Sequence, residues 1–238
     1  MLAVWCGLAF GAAAFGETPA DRFDTSGSEW QSTKLIETIS PTFPNKLACA
    51  GVTRGEARVA VNVSRDGKLM DALLVQCTEP EFGVSAIEAV RQWQFIPARL
   101  RGEAVGTTLD INFTFSESGV VISTSGLDML KSYTQTILGT NVFRAYTVRD
   151  LDRNPTRLAT VAPAYPKEFA TQGIKGVVTI DFYIDETGAV RMPCASREDD
   201  LRLSSLAIGA MRQWKFEPPT SGGKPVLVRA KQSFNFTG

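Results

Sequence analysis

Few residues in this chain can do chemistry. Its 238 residues include no histidine, which removes the commonest general base and the commonest metal ligand together. Ser-His-Asp and Cys-His nucleophile systems therefore cannot be assembled within one chain. The four cysteines form no Cys-x-x-Cys pair, so a thiolate zinc site has no scaffold. Ser221-Gly222-Gly223-Lys224 has the spacing of a Ser-x-x-Lys nucleophile, but that motif opens a helix and paired glycines make a turn. Its Gly-Gly-Lys part is no phosphate loop, because Pro225 stands where Ser or Thr would hold magnesium. Glu198, Asp199 and Asp200 cluster ahead of a helix, where negative charge suits the helix N-terminus better than it suits a metal site. The residues point to no catalysis, no cofactor, no metal and no small-molecule substrate.

Charge narrows the partners further. Lys and Arg number 25 against 25 Asp and Glu, so no basic surface is available to track phosphates, and nucleic acid is excluded. Residues 1–16, MLAVWCGLAFGAAAFG, are apolar and uncharged with small residues near the end. They read as a signal peptide or N-terminal apolar segment, short of the roughly 20 residues a membrane span needs. The chain is expected in the periplasm, touching the inner membrane only if that segment stays uncleaved. In such an oxidising compartment Cys49 and Cys77 are expected to form a disulfide, two unlinked thiols being the alternative. Cys194 reads as a small core residue.

The elements that would position any site are duplicated. AVRQWQFIPA around Trp93 returns as AMRQWKFEPP around Trp214, 121 residues later. The same spacing carries Gly55 to Gly176, Gly67 to Gly188, Phe113 to Phe234 and Phe115 to Phe236. In each copy a Pro-flanked helical turn leads into an alternating strand: Ala57, Val59, Val61 and Val63, or Val178, Ile180, Phe182 and Ile184. A glycine turn and a second strand follow, over Leu69–Cys77 or Val190–Ala195. Then comes a helix whose apolar stripe, Phe82 to Trp93 or Leu203 to Trp214, has helical spacing. Proline ends it, and a last strand closes the unit. The fold expected is α+β: two small α-β-β-α-β modules, each an antiparallel three-stranded sheet packed on a helix. The modules are placed at residues 34–115 and 156–238, with a linker over 116–155 that carries a short helix at Leu127–Leu138.

This unit resembles the TonB C-terminal domain family. Copy two carries the resemblance in Tyr165-Pro166, Gly176, IDETG at 184–188, MRQWKFEP at 211–218, GKPV at 223–226 and SFNF at 233–236. Copy one departs with Phe43 for the tyrosine and Gly-Glu-Ala-Val at 102–105. The resemblance implies a cell-envelope protein that grips a protein partner, such as a peptide of an outer-membrane transporter, by adding it as a strand to its sheet edge. The chain has no Pro-rich spacer and two modules instead of one, so the energy-transducing role is not carried over.

On that topology the last strands, Gly106–Phe115 and Val226–Phe236, are where an extended partner could pair. The partner-binding residues expected are Val226, Val228, Arg229, Ala230, Lys231 and Phe234. Two other readings stand beside this one. Arg229 and Lys231 could simply protect an exposed edge from aggregation. The two copies could also pair edge to edge, which would make the protein a structural scaffold.

Overall fold

The computed structural model describes residues 30–126, 143–195 and 199–237. The apolar segment 1–16, the helix expected over Leu127–Leu138, and Glu198 lie outside those residues. In chain order the first module holds β1 (Trp30–Gln31), β2 (Lys34–Glu37), α1 (Asn45–Cys49), β3 (Arg54–Val63), β4 (Leu69–Cys77) and α2 (Pro80–Val90), then β5 (Gln94–Ile96), β6 (Ala98–Leu100), β7 (Glu103–Val105), β8 (Thr107–Ser116) and β9 (Gly119–Gly126). Two short strands, β10 (Phe143–Arg144) and β11 (Tyr146–Thr147), lead to the second module. That module holds β12 (Arg157–Ala159), α3 (Lys167–Thr171), β13 (Gly176–Ile184), β14 (Val190–Ala195) and α4 (Leu201–Met211), then β15 (Lys215–Phe216), β16 (Thr220–Ser221), β17 (Lys224–Pro225) and β18 (Val228–Phe236).

Each module is built on three antiparallel strands with the first in the middle: β4-β3-β8, and β14-β13-β18. The α+β architecture expected from the sequence is the one found. The alternating residues of β3, Val59, Val61 and Val63, are buried beneath Phe82, Ala86 and Val90 of α2. Gly55 allows this approach, since a Cβ there would sit 2.0 Å from the Phe82 ring. In module two Val178, Ile180, Phe182 and Ile184 meet Leu203, Ala207 and Met211 in the same way. Burial of each such side chain stabilises by about 1.5–3 kcal/mol.

The duplication extends to hydrogen bonds. The Trp93 indole donates to the Ile39 carbonyl and the Trp214 indole to the Val161 carbonyl, both at 2.8 Å. Each tryptophan therefore buries its ring in the core with its one polar atom satisfied. Gly67 and Gly188, at φ +77° and +84°, close the first hairpins with the carbonyls of Phe95 and Phe216 pressed against them. A side chain there would need to occupy the space of those carbonyls.

The two modules dock through the sheet faces turned away from their helices. Ala60 and Val75 of the first meet Tyr183, Met192 and Leu227 of the second in one buried cluster. Arg191 donates two hydrogen bonds to Asp71 across this junction, at 2.8 and 2.5 Å. The hydrogen bonds it donates to Asp71, opposed in part by burial, hold the guanidinium further toward its charged form. A bulge in β14 brings these groups into place. Met192 has φ +52° in a strand whose pairing with β13 slips there. Residues 143–147 join the sheets: β10 pairs with the end of β4, and β11 pairs with the start of β18.

Two sequence expectations need correction here. The stretch read as linker contains β9, which pairs antiparallel with β8 from Ser116↔Gly119 to Leu109↔Gly126. The alternation of Val120 and Ile122, packed on the first core, drives it. The expected Cys49–Cys77 disulfide is not formed. Both are free thiols, Cys49 exposed on the short α1 and Cys77 buried within the first module.

Candidate functional site at the edge of the last strand

β18 is held on one side by β13, in unbroken register from Gly176↔Phe236 to Ile184↔Val228. On its other side β11 pairs in parallel with Val228 and Arg229 only. Among the described residues no strand pairs with Ala230–Phe236 on that side. The equivalent side of β8 is closed by β9 from Leu109 to Ser116. Among the described residues the two last strands lie in different sheets and do not pair edge to edge.

The six residues expected to bind a partner divide among several roles. Val228 is fully buried in the second core, and Val226 precedes the strand with its amide on the Pro219 carbonyl at 2.9 Å. Ala230 and Phe234 pack on the helix side, the Phe234 ring edge-on to Trp214 at 5.6 Å. Arg229 and Lys231 point to the other face and share the Asp181 carboxylate, each at 3.4 Å. Arg229 is largely buried in that arrangement, whereas half of the Lys231 side chain faces solvent. Ala230, Lys231 and Phe234 therefore flank the open edge, and Val228 supports it from within.

Two contributors, Asp181 and Arg157, escaped sequence reasoning, and Cys194, read as a small core residue, lies beside them. Asp181 anchors both cations from the neighbouring strand. Arg157 donates to Gln232 at 2.9 Å and lies over the Trp214 ring at 5.2 Å, fixing the helix-side border of the edge. Cys194 sits behind the same face, where burial, then the nearby Asp181 carboxylate, pushes its thiol up to about 12. The period-2 alternation places Asp181 on that face, but its pairing with residues 48 and 50 positions later depends on register.

The look-alike motifs settle into structure. Ser221–Lys224 forms the β16–β17 turn, and Asp152 accepts the Gly222 and Gly223 amides at 2.8 and 2.9 Å. Asp200 caps α4 by accepting the Arg202 amide at 2.9 Å, and its hydrogen bonds from the Arg202 side chain hold its carboxyl down at about 2.

A family model of the Gram-negative bacterial TonB protein C-terminal matches residues 39–116 and again residues 161–237, together well over half of the chain. The chain belongs to this family. It is similar to Protein TonB of Vibrio cholerae serotype O1, 33% identical over 72 residues that cover 30% of each chain. It is similar also to Protein TonB of Pseudomonas aeruginosa, 32% identical over 91 residues covering 38% of this chain and 26% of that one. The chain thus spans less than a third of the length of either relative. Among solved structures, the solution NMR structure of the Pseudomonas aeruginosa TonB CTD has 30% sequence identity, covers 39% of this chain and 92% of that one, and gives a TM-score of 0.32. Both TonB C-terminal segments end with the last strand of a module, so β9 stands outside the family match.

Proposed function

We propose that the chain is a non-catalytic periplasmic protein that binds an extended segment of a cell-envelope protein, of the kind an outer-membrane transporter would offer, by strand addition to β18. The observation that carries this reading is the open edge of Ala230–Phe236, beside which β11 pairs with Val228 and Arg229 only. Backbone groups along such an edge are ready to pair with another chain, and side chains beside it select which one. The packed junction between the modules favours module one as the fixed base from which module two presents its edge. A pure scaffold, in which the two modules serve only each other, would leave that edge without a purpose.

The test is to close the edge without disturbing the module. Residues Glu117–Gly126 follow Ser116, whose counterpart 121 residues on is Thr237. Grafting that ten-residue segment after Thr237 should fold back on β18 as β9 folds back on β8. The capped chain is expected to keep its fold by circular dichroism and to lose capture of its partner from intact cell envelopes. Capture at the level of the native chain would reject β18 as the site.

A further inference from the structure

The helix pair α1–α2 and its copy α3–α4 differ in what lies between the helices. In module two Arg202 of α4 is held by the Asp200 carboxylate, its Nε donating at 3.0 Å, and its guanidinium lies over the Phe169 ring of α3 at 5.8 Å. That pair of helices is bridged by a cation of its own. Module one has a carboxylate in its place. The 121-residue spacing sets Glu81 at the position of Arg202 and Glu79 at that of Asp200. The lead-in segments, matched at 122 residues through Pro44 and Pro166, set Leu47 at that of Phe169. Between α1 and α2 lies a groove of about 570 Å³, lined by Phe43, Pro44, Pro80, Val84, Glu81 and Glu88 among others. The Ser85 hydroxyl donates to the Thr42 carbonyl at 2.7 Å and holds the two walls together.

We propose that the α1–α2 groove of module one is a second protein-binding site, which takes an extended basic segment with arginine, two residues including an apolar one, then arginine. The charge of the occupant follows from the lining. Glu81 and Glu88 line the groove in module one, whereas the matching positions in module two are Arg202 and Gly209. Carboxylates repel a phosphate-bearing surface and attract the guanidinium that module two supplies from within. Glu81 is paired with Lys46, but that lysine side chain is 80% exposed and free to swing aside. Glu88 is exposed and enters no ion pair among the described residues. The apolar part follows from Val84, 58% exposed between the two acids, where module two has Ser205. Phe43, Pro44 and Pro80 continue that apolar surface along the groove. The spacing follows from the helix. Glu81 and Glu88 stand two turns apart, about 10 Å. Polyproline-type extended chain covers this in about three residues and returns every third side chain to the same side.

The probe is the blocked hexapeptide Ala-Arg-Ile-Pro-Arg-Ala, titrated into the full isotope-labelled chain and read by NMR. The amide signals of Asn45, Val84 and Glu88 should move together to saturation while those of α4 stay in place. Glu81→Arg gives module one the residue of module two and should weaken binding by about fivefold or more. Val84→Ser, also the residue of module two, should weaken it about two- to fivefold. Because α4 folds with arginine and serine at these positions, α2 is expected to fold with them as well. No shift at millimolar peptide, shifts confined to other surfaces, or undiminished affinity in Glu81→Arg would each overturn the proposal. So would spermidine moving the same signals as far as the peptide does at equal concentration, since a bare polycation would then suffice. The graft that caps β18 should leave this binding unchanged, so the two sites stand or fall separately.

Discussion

At the scale of single residues, the side chains recognised by type and spacing sit where those cues put them. Trp93 and Trp214 end their apolar stripes, both buried and both hydrogen-bonded through the indole nitrogen. The cysteines show the limit of such cues. Compartment and joint absence from copy two favoured pairing Cys49 with Cys77, but neither observation reports which way a side chain faces. In the fold Cys49 faces solvent while burial, then Glu79 and Glu81, raises the Cys77 thiol to about 11. Only a thiolate alkylates readily, so at pH 8 without reductant Cys49 should label quickly while Cys77 and Cys194 resist until the protein is unfolded. Mass spectrometry of the labelled chain is the check. A chain in which Cys49 and Cys77 both stay unlabelled until reductant is added would restore the disulfide.

At the scale of elements, the repeated strands and helices were legible because each carries a strong period of its own, 2 in β3 and β13 and 3.6 in α2 and α4. β9 was not recognised, although Glu117-Ser118-Gly119 followed by alternating Val120 and Ile122 is a hairpin signal. It has no partner in copy two, and a reading anchored on the repeat assigned everything between the copies to the linker. The hairpin glycines make a sharper test of the element account. Gly188→Ala places a Cβ 2.0 Å from the Phe216 carbonyl at φ +84°, so it should cost about 2 kcal/mol or more in chemical denaturation. Gly173→Ala, at φ +66° with open space around it, should cost only about 1 kcal/mol. Equal losses would mean that the close approach of strand and turn is not what fixes the glycine.

At the scale of the whole molecule, the docking of the modules was the part least accessible to sequence. Tyr183, Met192 and Leu227 lie off the regular apolar face of their module, and nothing local says that Ala60 and Val75 of another module will cover them. The ion pair across the junction can be measured by a double-mutant cycle on Asp71→Ala and Arg191→Ala. A coupling of about 1 kcal/mol is expected, small because both side chains keep about a third of their surface exposed. Simple additivity would mean that the pair contributes nothing to holding the modules together.

Module one closes its own edge with β9; in the proposed function, module two keeps its edge open for a partner. Thr114 and Asn235 occupy equivalent exposed positions on β8 and β18, so a photocrosslinking side chain at either reports directly on that division. In living cells the residue at position 235 should yield adducts with an envelope protein, and the residue at position 114 should yield none. Adducts from position 114, or their absence from position 235, would contradict it.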